Sequence, residues 1–365
     1  MQERSWSARR ISVNDMPEFD SSCATNGHWA RTEQAPGIPN PFFSGCNGDM
    51  RSMTLSKYEK FAVRKPMYDV RFPSVKGRQA PPMTFLSSQQ IPEANFHIEM
   101  AWVYAIPEPN PCLPPQVLAH DQLVLFIGMD PETPQVLGAT VELYLGGQSI
   151  VLNSTSSVFI PKGTPYGPVV WKEVRRPHVQ LSMVFGCGDP YPAGRKAVDG
   201  TIVELPNKTE KFDYEQYVIR SPMREAGPNY VEGRQNPTMT YLSRTQINAV
   251  SHYVEFGWIW GVPDPSMPKM RHDDFDEIVL HIGSDPDNPE ALGGSLQFGI
   301  GEELLEFDTS HCVYLPKTTD HGPLLWKQVR RPLIQLAMML GAGTLAEGWT
   351  NSFFDLPDGS RRGPK

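Results

Sequence analysis

The second half of this 365-residue chain carries a small set of side chains suited to chemistry: His252, His272, Glu277, His281 and His321. An imidazole can hold a metal ion through a neutral ring nitrogen or move a proton near neutral pH, and a carboxylate can also do either. Two imidazoles and one carboxylate brought to one side of an ion would leave three positions open. That arrangement suits non-haem Fe(II) and also accepts Mn, Ni, Co or Zn. Taken singly, each of these residues reads as an ordinary histidine near a turn or a carboxylate at a strand end. Whether they act together depends on the elements that carry them.

Those elements come in two copies. Arg64-Lys-Pro66-Met67 returns as Arg220-Ser-Pro222-Met223, and Gly77-Arg78-Gln79 as Gly233-Arg234-Gln235, at an offset of 156 residues. Met83-Thr-Phe-Leu-Ser87 becomes Met239-Thr-Tyr-Leu-Ser243, and Glu99-x-x-Trp102 becomes Glu255-x-x-Trp258. After Pro109 and Pro265 the offset drops to 155, and Pro161-Lys162, Gly167-Pro168, Trp171-Lys172 and Arg175-Arg-Pro177 return as Pro316-Lys317, Gly322-Pro323, Trp326-Lys327 and Arg330-Arg-Pro332. A repeat of this length is a duplicated domain and not a solenoid unit. The units expected are residues 57–205 and 206–345, joined near 200–212, with an N-terminal extension over 1–56 and a C-terminal tail over 346–365.

Each unit reads as short strands. Phe96 to Tyr104 and His252 to Trp260 alternate apolar residues with others, the period of a strand. Leu123 to Ile127 and Ile278 to Ile282 are compact apolar runs ended by glycine, and Val179 to Phe185 and Leu333 to Leu340 close the units. With 36 Pro and 30 Gly between such runs, an all-β sandwich or barrel is expected, the jelly roll among the leading forms.

Bulk properties narrow the function. A net charge of −8, with basic pairs only at Arg175/Arg176 and Arg330/Arg331, provides no cationic surface for nucleic acid. No run of about 18 apolar residues and no signal-peptide core is present, so no membrane partner and a cytoplasmic location are expected. Five cysteines without CxxC spacing read as reduced, mostly buried thiols.

The stretch from His272 through Glu277 to Gly283, followed by Pro316-Lys317 and His321, resembles the two sequence motifs of the cupin superfamily. The duplication makes the chain similar to a bicupin: two tandem cupin jelly-roll barrels behind an N-terminal extension. The resemblance implies that His272, Glu277 and His321 are metal ligands, one divalent ion per chain, with Fe(II) favoured. It departs at Met270, which stands where the motif's first histidine would be and is expected to line the pocket or face away.

In the first unit Glu277 corresponds to Gln122 and His321 to Tyr166, and His272 falls near Val117, so that unit is expected to bind no metal in spite of His120 and Asp121 close by. An amide and a phenol do not replace a carboxylate and an imidazole as ligands. Residues peculiar to the second unit are the better functional candidates. His281 lies in phase with Glu277 but about 13 Å along the strand, too far to share an ion. It is read as a deeper pocket residue, either a satisfied core histidine or a proton shuttle. His252 shares the phase of Val254, Phe256, Trp258 and Trp260 and is a candidate base at an aromatic-walled pocket. Trp258, Trp260 and Trp326 are read as core. The resemblance implies, first, a non-haem Fe(II)-type dioxygenase acting on a small aromatic or carbonyl compound. Two further readings are a redox-neutral isomerase, lyase or hydrolase acting through an enolate, and a non-catalytic small-ligand binder. The partner expected is a small-molecule substrate, and a homo-oligomer is possible.

Overall fold

The computed structural model describes residues 56–69, 72, 74–191, 212–225, 231–355 and 360–362. The expected extension over 1–56, except Ser56, and the expected junction over 200–212, except Phe212, lie outside them, as do Cys23 and Cys46. Among the described residues the chain is almost entirely strand, with one five-residue α-helix at Leu345–Trp349. No helix is long and apolar enough to cross a membrane. The all-β, two-unit expectation holds.

Each half builds a large and a small antiparallel sheet. In the second half the large sheet runs, in spatial order, His311–Leu315, Asp276–Gly283, Leu333–Leu340, His252–Asp264, Met239–Leu242 and Met223–Arg224, and Glu232–Arg234 also pairs with His252–Asp264. Its small sheet runs Glu303–Thr309, Ala291–Ile300, His321–Val329, Met270–His272, Ser352–Asp355 and Arg361–Arg362. The first half repeats the plan. Its large sheet contains Ser156–Ile160, Gln122–Gly128, His178–Phe185, Phe96–Glu108, Met83–Leu86 and Met67–Tyr68, and its small sheet Tyr166–Val174, Val136–Leu145 and Gln148–Ser154.

The large sheets are apolar on both faces, which is why their central strands read as unbroken apolar runs. One face of each joins a core shared by the two halves: Ile98, Met100, Trp102, Leu123, Leu125 and Leu181 pack in one cluster with Val254, Phe256, Trp258, Ile278, Leu280 and Leu336. The opposite face closes a separate interior against the small sheet. In the second half that interior is built from Ile259, Val279, Val313, Leu315 and Leu333 on one side and Leu296, Phe298, Leu324 and Trp326 on the other. Each fully buried side chain of this size contributes about 1.5–3 kcal/mol from burial alone, so the shared core makes the two barrels one stable body.

The halves also exchange strands. Ala62–Val63 pairs with His311–Leu315 of the second half (Ala62 opposite Val313), and Val218–Ile219 pairs with Ser156–Ile160 of the first (Val218 opposite Val158). A short 3-10 turn precedes each added strand, and each turn brings a tyrosine onto a glycine in the far unit. A Cβ on Gly301 would sit 2.2 Å from the Tyr58 ring, and one on Gly146 would sit 2.1 Å from the Tyr214 ring. Both glycines have positive φ, at 59° and 55°, so a side chain there is excluded by backbone and by space.

The C-terminal segment corrects one boundary. Residues 346–365 were expected to be a tail beyond the second unit. In the structure Ser352–Asp355 is a strand of that unit's small sheet, paired with Met270–His272.

Candidate metal centre

The chain changes sheets between His272 and Glu277, and this crossing brings the candidates together. His272 ends a strand of the small sheet, Glu277 lies one residue into a strand of the large sheet, and His321 opens the next strand of the small sheet. Met270 pairs directly with His321 and stands two residues from His272, so it shares their face at 6% exposure. It therefore lines the site.

Donor atoms of His272, Glu277 and His321 all lie within 4.8 Å of one another, and this is the one such cluster of His, Cys, Asp or Glu among the described residues. Glu277 Oε2 is 2.9 Å from His321 Nε2 and 3.7 Å from His272 Nε2. The far side of each ring is committed. His272 Nδ1 lies 2.7 Å from Ser352 Oγ, whose own hydrogen goes to the Gly348 carbonyl at 2.6 Å, so the imidazole donates and the hydroxyl accepts. His321 Nδ1 donates to the Thr319 carbonyl at 3.0 Å. Both Nε2 atoms are thus left as inward lone pairs, as metal-binding histidines require. Glu277 Oε2 and His321 Nε2 are buried and share no well-directed hydrogen bond. Orphaned buried donors of this type fit a divalent cation.

The electrostatics agree. Burial lowers the His272 pKa to about 4, which keeps the ring neutral. Burial would raise the Glu277 carboxyl, but the His321 and His272 rings beside it outweigh this and hold it below the usual range. For His321 burial opposes the charge, and the Glu277 carboxylate wins and raises its pKa. Without an ion, these groups lean on one another for charge.

The structure places the other candidates differently. His281 is fully buried in the same interior, in phase with Glu277 and Val279, and is not in the ligand cluster. Its Nδ1 is 3.0 Å from His311 Nε2, and His311 Nδ1 donates to the Thr309 carbonyl at 2.7 Å. The chain of donors fixes His281 Nδ1–H toward His311 and leaves His281 Nε2 buried without a partner.

His252 is a correction, because it is not brought to the cluster. Val254, Phe256 and Trp258, whose phase it shares, face the core between the barrels and not the pocket. His252 stacks on Phe185 of the first half at 4.6 Å, with Phe96 at 5.9 Å, and accepts from Gly341 N. Both faces of its strand are buried, so apolar alternation marked the wrong face as the pocket. Trp260 is a second correction: it is 43% exposed, whereas Trp258 and Trp326 are buried.

Three contributors had not been singled out from sequence. Ser352 lies in the presumed tail. His311 was not among the candidate histidines. Glu255, known only as a repeat marker, lies on the inward face with Tyr253. It accepts from Thr238 Oγ1 at 2.9 Å and from the Tyr253 hydroxyl at 3.2 Å. Burial raises its pKa to about 7, and the Glu277 charge adds to that rise.

In the first barrel Gln122 occupies the place of Glu277: it opposes Ile160 as Glu277 opposes Leu315. Its Nε2 donates to Ser182 Oγ at 2.8 Å. Asp121, beside it, accepts from Lys162 N at 2.7 Å, as Asp276 accepts from Lys317 N at 2.8 Å. That aspartate serves the turn in both barrels.

No family model matches the chain, and no curated protein matches it in sequence. Solved structures do. AerE from Microcystis aeruginosa is 11% identical at a TM-score of 0.46, over 77% of this chain and 99% of its own. A mutant of Bacillus subtilis oxalate decarboxylase OxdC is 11% identical at a TM-score of 0.48, over 77% of this chain and 78% of its own. Likeness at this level carries no argument about chemistry. The decisive observations are the chain's own: two double-sheet barrels from one duplicated sequence, with histidine, glutamate and histidine converging where the two motifs meet. The fold is the pair of jelly-roll barrels that the sequence resemblance to bicupins implies. The second barrel has a complete candidate ligand set, and the first barrel has neutral side chains in the corresponding places.

Proposed function

We propose that this bicupin is a metal-dependent enzyme that holds one divalent ion per chain at His272, Glu277 and His321 and acts on a small carbonyl compound by a redox-neutral route. The observation that carries the reaction class is Glu255: a buried carboxyl, held by Thr238 and Tyr253, with its pKa brought to about 7. A group with that pKa gives and takes protons near neutrality. A bound divalent ion would supply Lewis acidity, polarising a carbonyl oxygen. The chain's own residues then do the rest. Glu255 removes a proton from the carbon next to the carbonyl and returns one to the product, and Thr238 and Tyr253 fix its orientation. The apolar interior of the barrel keeps water away. This is the chemistry of an isomerase, lyase or hydrolase.

The ligand set supports a second reading, the Fe(II)-type dioxygenase, because two histidines and a carboxylate with open positions suit that metal. The twin of Glu255 in the first barrel is Glu99, so the carboxyl belongs to the duplicated frame; only in the second barrel does it face a ligand cluster. A panel of small oxo acids incubated in D₂O tests the choice. Deuterium uptake next to the carbonyl, lost in Glu255→Gln while metal content is unchanged, is expected. Oxygen consumption without deuterium uptake would favour the dioxygenase.

A further inference from the structure

The duplicated frame contains one pair of residues that behave differently in the two barrels. Arg78 and Arg234 occupy equivalent places, in the strands Lys76–Arg78 and Glu232–Arg234. Arg78 is 5% exposed and donates to the Gln79 carbonyl at 3.1 Å and to Gln180 Oε1 at 3.3 Å. The equivalents of both acceptors, Gln235 and Gln335, are present in the second barrel and buried there. Arg234 uses neither and makes no hydrogen bond or ion pair with any described residue. The first barrel is thus an internal control: the same arginine, with the same neighbours available, is tied down where no ligand set exists and left free where one does.

Register puts Arg234 inside the second barrel. It pairs with Ile259, which belongs to the barrel's apolar interior. Its charge reaches both Glu255 and His281, and burial lowers its own pKa. Arg234 is partly buried, with the Glu255 carboxyl within electrostatic reach, and the planar fork of donors of its guanidinium matches a carboxylate in two parallel hydrogen bonds. A polar atom within reach of that charge is also unpartnered: His281 Nε2 is buried without a hydrogen bond.

Building on the metal-dependent reading above, we infer that Arg234 anchors the carboxylate of the substrate, which makes the substrate class a small oxo acid. The carboxylate sits on Arg234, the carbonyl faces the ligand cluster, and Glu255 reaches the carbon on the other side of the carbonyl. Arg234 is a binding residue here and takes no part in proton transfer.

The test is isothermal titration of the Co(II)-loaded full chain with pyruvate, and with methyl pyruvate as its uncharged counterpart. Wild type is expected to bind pyruvate saturably and methyl pyruvate at least tenfold more weakly. Arg234→Gln is expected to lose tenfold or more in pyruvate affinity with Co(II) content unchanged, and Arg234→Lys, which keeps the charge without the fork, to fall between them. Equal binding of the two probes, wild-type affinity in Arg234→Gln, or no saturable pyruvate binding would overturn the inference. Repeating the titration on chelator-treated protein separates it from the metal reading. Arginine-dependent pyruvate binding that survives metal removal supports the anchor even if the ligand set were wrong. Loss of metal with Glu277→Ala tests the ligand set alone.

Discussion

Replacing Ser352 by alanine probes the least visible support of the centre. Ser352 Oγ accepts from His272 Nδ1 at 2.7 Å and is 1% exposed, so no bulk water can replace it. In Ser352→Ala the His272 N–H is left buried without an acceptor, and the Gly348 carbonyl loses a donor. A buried group without its partner costs about 1–3 kcal/mol. The same loss frees the His272 ring to turn or to adopt the other tautomer, in which Nε2 carries the proton and cannot bind a cation. Removing such an outer partner typically lowers metal affinity about 10–100-fold, or about 1.4–2.7 kcal/mol, which agrees with the hydrogen-bond figure. Competition against a chromophoric chelator reads the affinity directly, and thermal unfolding of the metal-free protein reads the structural cost. A variant with wild-type affinity would refute the argument that Ser352 fixes the ligand face of His272. So would a variant whose affinity falls only in proportion to unfolded protein.

Further expectations concern stability and pH. Gly301→Ala, with its Cβ 2.2 Å from the Tyr58 ring and φ at 59°, should lower thermal stability by a few kcal/mol, since the backbone term alone is about 1–2 kcal/mol; an unchanged melting temperature would show that the strand exchange is loose. His252→Ala should leave metal content near one per chain and lose about 1–3 kcal/mol of stability from its stacking on Phe185 and Phe96; loss of metal would restore it to the site. Glu255 has its folded pKa raised from 4.5 to about 7, so it favours the fold while protonated. Its contribution is complete below the unfolded pKa and is lost as pH rises through about 7. Denaturant titrations of metal-free protein should therefore show Glu255→Gln gaining on wild type between about pH 5 and 8, by a few kcal/mol at most. A difference independent of pH would place the carboxyl in water.

The duplication and the strands were legible in the spacing of matching and apolar residues, and the convergence of His272, Glu277 and His321 was implied by the resemblance to the cupin motifs. Gln122 and Tyr166 in the other copy made the asymmetry legible too. What spacing does not carry is which face of a doubly buried strand looks into the barrel. His252–Asp264 presents Val254, Phe256 and Trp258 to the neighbouring barrel and Tyr253 and Glu255 to its own interior, so the apolar phase pointed away from the chemistry and took His252 with it. Ser352 was invisible for another reason: it reaches His272 across 80 residues of chain, from beyond the expected end of the second unit. Arg234 had been hidden by resemblance to Arg78, and hydrogen bonding and burial tell the two apart.

The proposed chemistry needs one divalent ion per chain, held in the second barrel. Metal analysis of the full-length protein beside Glu277→Ala and Gln122→Ala tests it most directly. Close to one equivalent is expected in wild type and in Gln122→Ala, with loss of the ion in Glu277→Ala, because two remaining ligands bind weakly. Two equivalents in wild type, or an ion retained by Glu277→Ala, would contradict it.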